Sequence, residues 1–155
     1  MRMLTGVALL ADRVRVAEPG DARAITQLAE AHAAYELADF ARAGHAQRLT
    51  TALQSGQLYA WLALQNHLPV GYVTATLDFS TFSAKRYLHM DCLYMSAHAR
   101  GQGLGHALLQ AVRDFGMAHA CCNLQWQTPS WNHLAMRFYA ATGAQSFQKQ
   151  RYVLG

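Results

Sequence analysis

Charge is scarce in this chain. Asp, Glu, Lys and Arg make up 14% of its 155 residues against 52% hydrophobic residues, a balance that excludes a disordered polyelectrolyte and predicts a folded globule with a real core. The basic residues stand singly or in pairs such as Lys85-Arg86, and no cluster is long enough to track a nucleic-acid backbone. The net charge of +4 therefore suits a small anionic ligand and excludes nucleic acid as the expected partner. Cysteine is equally sparse. Three residues, two of them adjacent (Cys121-Cys122), make neither a disulfide framework nor a zinc site and point to a reducing, cytoplasmic setting. His89, His98, His106 and His119 share no ligand spacing on one face, so no metal is expected. Long apolar runs are missing too. The patch Val7 to Ala11 ends at Asp12 and Arg13 after about five residues, too short for a signal-peptide core. Nothing approaches the roughly 18 apolar residues of a membrane span, so no membrane partner is expected. With no repeat, low-complexity tract or linker, residues 1–155 read as one domain.

What the chain has is an alternation of strand-like and helix-like segments. Val14 to Ala17 reads as a strand closed by Glu18-Pro19-Gly20, and Asp21 as the N-cap of a helix to about Phe40 with Ile25, Leu28, His32 and Tyr35 on one face. A second helix is predicted over Ala46 to Gln54. Gln57 to Gln65 and Val70 to Phe79 then read as an antiparallel hairpin turned by Asn66 to Pro69. The polar connection Ser80 to Lys85 is expected to border a ligand cleft. Tyr87 to Met95 reads as a strand, Leu104 to about His119 as a helix and Cys122 to Thr128 as a strand. A last helix is opened by Ser130 or Asn132, and Phe147 to Leu154 supplies one or two final strands. The order predicts an α/β domain on a single mixed, mostly antiparallel central sheet with helices on both faces.

The most informative stretch is Arg100-Gly101-Gln102-Gly103-Leu104-Gly105-His106, between a predicted strand and a predicted helix. Such a loop exposes consecutive backbone amides at the positive end of the helix dipole, and glycine lets an anion sit directly on them. The spacing is wrong for a dinucleotide fingerprint, and His106-Ala107 is not the Lys-Ser/Thr pair of a Walker loop. It does fit Gln/Arg-x-x-Gly-x-Gly/Ala, the loop of the GNAT superfamily of acyl-CoA-dependent N-acyltransferases. Leu88 to Met95 resembles the fourth strand of that family, and Trp131 to Tyr139 followed by Gly143-Ala144 resembles its last helix block. Within the superfamily, Tyr35-Glu36, Asp91 and Trp131-Asn132 look most like the polyamine and thialysine acetyltransferase branch.

The resemblance implies acetyl-CoA as cosubstrate, with the amides of Gly101 to His106 on its pyrophosphate. It also implies that Leu93, Tyr94 and Met95 bond the pantetheine arm and acetyl carbonyl through their backbone, and that Asn132 contacts the arm near the last helix. Tyr139 is the implied general acid and Asp91 the base acting through water, with Tyr35 and Glu36 as amine contacts. The usual second acid after Asp91 is replaced by Cys92, which argues against a strongly polycationic acceptor. The expected activity is acetyl transfer to a primary amine of a small molecule by direct attack in a ternary complex. Two rivals are a protein or peptide amine acetyltransferase and a non-catalytic acyl-CoA sensor. Each side chain also has a plain structural role open to it: Tyr139 as a half-buried aromatic, Asp91 as a paired strand residue, Glu36 as a solvated helix charge. The final strand Arg151 to Leu154 offers an edge for a homodimer.

Overall fold

The computed structural model describes residues 13–155, and the Val7 to Ala11 patch lies outside them. Among the described residues five strands form one sheet in chain order: β1 (Val14–Val16), β2 (Tyr59–Gln65), β3 (Leu68–Ser80), β4 (Lys85–Met95) and β5 (Leu124–Gln125). Neighbours are antiparallel except β4 and β5, which run parallel. Asn66 and His67 take left-handed φ values of 50° and 64°, the conformation a two-residue hairpin needs between β2 and β3. Among the described residues there are also four α-helices: α1 (Ala22–Glu36), α2 (His45–Ser55), α3 (Leu104–Ala118) and α4 (His133–Ala141).

Strand alternation divides the core between the two sheet faces. Trp61, Val73, Leu88 and Met90 pack with Leu104, Leu108 and Val112 of α3, while Leu62 and Tyr72 pack with Ile25 and Leu28 of α1 on the other side. Helices on both faces of a mixed sheet are the architecture expected. In β4 the alternation changes phase. Thr74 pairs with Cys92 and Ala75 with Met90, which makes Asp91 the extra residue of a β-bulge. Beyond it, Leu93 and Met95 rejoin the α3 side while Cys92 and Tyr94 turn to the α1 side. β5 pairs with β4 only through Leu88–Leu124 and His89–Gln125. From Met90 to Met95 the sheet has therefore parted on that side.

The structure departs from expectation at four places. α1 stops at Glu36, short of Phe40, because Leu37 turns left-handed (φ 58°) and the Ala38 amide donates back to the Ala33 carbonyl at 2.9 Å, a Schellman-type end. The strand predicted over Cys122 to Thr128 is reduced to Leu124–Gln125 by the parting from β4. Residues 144–155 form no strand; Phe147, Tyr152, Val153 and Leu154 are exposed, since β-forming residues make a strand only where a partner edge accepts them. Finally, Ser80 to Lys85 is the tip of the β3–β4 hairpin, at the end of β4 opposite Met95. A ten-residue reach of strand separates the two ends by about 33 Å, so this connection borders no part of the cleft described next.

Candidate active site

The parting of β4 from β5 opens into a cleft of about 340 Å³ lined by β4, the glycine loop, and helices α1 and α4. Its donor end is built by backbone. Gly101 and Gly103 have φ of 75° and 80°, values an L side chain resists, and a Cβ at Gly101 would enter open space. The first helix-closing bond runs from the Ala107 amide to the Gly103 carbonyl at 3.1 Å, so the amides of Leu104, Gly105 and His106 are those of an open first turn. A phosphate fits this cradle on geometric grounds. Along β4, the amides and carbonyls facing the gap from Met90 to Met95 have no strand partner among the described residues, as a ligand that adds to a sheet edge requires. That end of β4 is held tightly from its other side: a Cβ on Gly71 would stand 2.8 Å from the Tyr94 carbonyl oxygen and collide with Met95.

Side chains frame the rest of the cleft. The Arg100 Nε donates to the Met95 carbonyl at 3.0 Å, and its guanidinium lies 5.1 Å from the Tyr35 ring centre and 5.8 Å from that of Tyr94. Asn132 caps α4, its Oδ1 accepting from the Ala135 amide at 3.2 Å and from the Tyr35 hydroxyl at 3.3 Å. Both bonds fall on Oδ1, which leaves the Nδ2 hydrogens as its donors toward a ligand. His106 packs against Phe138 with tilted rings, their centres 4.5 Å apart.

At the inner end stands Tyr139, packed on Trp126 and Phe138. Burial, reinforced by the negative charge of Glu36 and by Cys92, pushes its phenol up to about 12, so it remains a hydroxyl donor across the physiological range. Cys92 is likewise pushed up to about 12 by burial and then by Asp91, which keeps it a thiol rather than a nucleophile. Asp91 is more loosely placed. Its side chain is 62% exposed at the bulge, accepts from the Cys92 thiol at 3.6 Å, and lies 3.8 Å from His89 Nε2. The carboxylate whose charge bears on Tyr139 is Glu36.

Of the residues singled out from the sequence, Tyr35, Glu36, Asp91, Leu93, Tyr94, Met95, Arg100, Gly101, Gly103, Leu104, Gly105, His106, Asn132 and Tyr139 all line this one cleft. Gln102 does not. Its side-chain oxygen accepts from Arg13 at 3.2 Å and from Gln65 at 2.8 Å, tying the loop to the open ends of β1 and β2. The residue that sequence reasoning passed over is His32. It was placed on the packing face of α1, where it does lie, but its neighbour four positions on is Glu36, and an i,i+4 pair on an apolar helix face is the signal that would have found it. Among the described residues no three His, Cys, Asp or Glu side chains group as metal ligands, and no helix is long and apolar enough to cross a membrane.

Residues 25–144 match a family model described as the acetyltransferase (GNAT) family. The chain is 32% identical over 76 residues to the thialysine N-epsilon-acetyltransferase of Bos taurus, covering 49% of this chain and 44% of that protein. It is 28% identical over 88 residues to the L-ornithine N5-acetyltransferase NATA1 of Arabidopsis thaliana, covering 57% of this chain and 39% of that protein. The matched region thus spans less than half the length of these relatives. A solved probable acetyltransferase superposes with a TM-score of 0.79 at 20% identity, over 92% of this chain and 97% of that one. An aminoglycoside acetyltransferase, meta-AAC0020, from an uncultured soil metagenomic sample superposes with a TM-score of 0.77 at 19% identity, over 92% and 95% of the two chains. These two likenesses are of fold.

Proposed function

This chain belongs to the acetyltransferase (GNAT) family, and from that premise we propose that it moves an acetyl group from acetyl-CoA to the primary amine of a small molecule, by direct attack in a ternary complex. The observation that carries the reading is that one cleft joins the anion cradle of Gly101 to His106 and the free edge of β4 to a half-buried phenol that feels the charge of Glu36. Bound acetyl-CoA supplies an activated thioester.

The chain supplies the rest. The amides of the loop hold the pyrophosphate, and Arg100, held on the Met95 carbonyl, adds its positive charge to that end of the cleft. Backbone groups of Leu93 to Met95 hold the pantetheine arm as an added strand would be held, and Asn132 donates to it from the far wall. An amide facing the acetyl oxygen stabilises the negative charge that develops there as the amine attacks. An alkyl ammonium, with a pKa near ~10, must first lose a proton. Two carboxylates line the cleft and can take it, Asp91 acting through a water and Glu36. As the carbon–nitrogen bond forms and the carbon–sulfur bond breaks, the Tyr139 hydroxyl donates to the departing sulfur, and the proton shed by the new amide nitrogen restores that hydroxyl.

Small-molecule acceptors are favoured because the bond from Tyr35 on α1 to Asn132 on α4 joins two walls of the cleft and narrows it. The reading extends to a homodimer. Phe147, Tyr152, Val153 and Leu154 are exposed and lie in no strand of this chain, and a second copy's sheet would cover them. Sedimentation at twice the chain mass tests that part. The activity is tested by following thiol release from acetyl-CoA over amino acids, polyamines, aminoglycosides and peptides. Turnover with a free amine is the expected result, and turnover only with peptides, or with none of these, overturns it.

A further inference from the structure

His32 lines the cleft, and the acid–base scheme above leaves it without a part. Its ring lies nearly parallel to Tyr94, with centres 5.1 Å apart and planes at 20°, and meets Tyr72 edge-on at 5.8 Å. Both nitrogens are engaged. Nε2 is 3.1 Å from Glu36 Oε1, and Nδ1 is 2.8 Å from the hydroxyl of Tyr72, a residue 1% exposed on β3. A carboxylate can only accept, which assigns the hydrogen of the neutral ring to Nε2. Nδ1 then accepts from the Tyr72 hydroxyl. The chain Tyr72–His32–Glu36 thus starts in the core between sheet and α1 and ends on a carboxylate at the cleft.

We infer that His32 is a positioning residue that fixes Glu36 as the carboxylate receiving the acceptor ammonium and taking its proton. This rests on the acetyltransferase reading and names the acceptor station within it. His32 occupies Oε1 and leaves Oε2 for the incoming cation. Glu36 is also the last residue of α1, set at the cleft by the left-handed Leu37 that follows. Asp91, the rival carboxylate, is more than half exposed on a bulge and held only by a thiol and a distant imidazole. The balance of the step is simple. An ammonium N–H bond breaks and its proton passes to Glu36, the freed lone pair attacks the acetyl carbon, and the carbon–sulfur bond breaks with Tyr139 donating to sulfur. The second N–H proton, shed as the amide forms, passes through solvent to restore the Tyr139 hydroxyl. The substrate class that follows is a small amine that carries one cation into the cleft.

A double-mutant cycle on the full chain tests this, with L-ornithine, thialysine, spermidine and an aminoglycoside as probes. His32→Phe keeps the ring stack and removes both bonds. Loss of a hydrogen bond to a charged group corresponds to roughly ten- to a hundredfold in kcat/KM for the amine, with acetyl-CoA Kd moving less than about twofold. His32→Gln, whose amide can still donate to Glu36, recovers a large part of that loss. In a Glu36→Gln background the His32→Phe change costs no more than about threefold, because the group it positions is gone. Full additivity of the two changes overturns the inference, as does a His32→Phe enzyme within about twofold of wild type or an equal loss of acetyl-CoA affinity. If His32→Phe fails to fold, His32→Gln and Glu36→Gln carry the comparison. Equal activity of those two and the wild type then overturns it. A wild-type chain that binds acetyl-CoA but acetylates no amine overturns the parent reading and this inference together, and is distinguished by that binding.

Discussion

The Tyr35 hydroxyl donates to Asn132 Oδ1 at 3.3 Å, joining the end of α1 to the start of α4 across the cleft. The same oxygen caps α4 through the Ala135 amide. Asn132→Ala removes both bonds and a buried cap, and a loss of about 1–2 kcal/mol in urea unfolding is expected. Tyr35→Phe removes only the bridge and is expected to cost less than about 1 kcal/mol. Because Arg100 rests on the Tyr35 ring, which Phe keeps, acetyl-CoA affinity should respond more to Asn132→Ala than to Tyr35→Phe. The reverse order would mean that the bridge, and not the cap, shapes the donor site.

Gly71 tests whether the free edge of β4 is held from behind. Its Cβ would stand 2.8 Å from the Tyr94 carbonyl oxygen and collide with Met95, so β3 and β4 can close at this point only with glycine. Gly71→Ala is expected to cost about 1–3 kcal/mol of stability through overpacking. It should also raise the acetyl-CoA Kd, because Met95 and Tyr94 shift. Calorimetric Kd values unchanged in a destabilised variant would detach this contact from the donor site.

Much of this arrangement was legible in the sequence because it depends on local pattern. The strand over Tyr87 to Met95, the glycines at 101, 103 and 105, and the Trp131 to Tyr139 helix block are contiguous motifs with a local conformational meaning, and each lies where its pattern puts it. The elements that went astray depend on distant partners. Cys122 to Thr128 has the composition of a strand, but only two of its residues find β4 after the sheet parts. Phe147 to Leu154 has β-forming residues and pairs with no strand among the described residues. Asp91 sits on a bulge that appears only when Thr74 and Ala75 of β3 are counted against Cys92 and Met90. Glu36 comes to bear on Tyr139 over a hundred residues away, a proximity that no local spacing encodes. The His32–Glu36 pair was visible at i,i+4, but an apolar helix face made packing the simpler reading of His32.

The glycine loop separates backbone strain from ligand contact. At Gly101 a Cβ meets nothing within 4 Å, so Gly101→Ala carries only the conformational cost of a left-handed alanine, about 1–2 kcal/mol. Its methyl group would project into the open space where a phosphate would lie. The expected outcome is a modest fall in melting temperature with a loss of acetyl-CoA affinity of about tenfold or more, from crowding of the bound anion. Equal affinity in the variant and the wild type would remove this loop from the pyrophosphate site.

Tyr139 gives the sharpest test of the chemistry. Burial and the charge of Glu36 hold its phenol at about 12, above the ordinary value of 10.0. The protonated form therefore persists as pH rises through the range in which an alkyl ammonium near ~10 gives up its proton. The rate with a small amine should climb from neutrality toward that value, with no descending limb from Tyr139 before it. Tyr139→Phe should lower kcat by about a hundred- to ten-thousandfold while leaving the ascending limb in place and acetyl-CoA Kd within about twofold. Steady-state rates from pH 6 to about 10, with acetyl-CoA saturating, make the comparison. Wild-type activity that falls away above roughly pH 9, with the fall abolished in Tyr139→Phe, would show a phenol that ionises far too early for this environment. Turnover unchanged by the substitution would take the donor role away from Tyr139 and leave the departing sulfur to solvent.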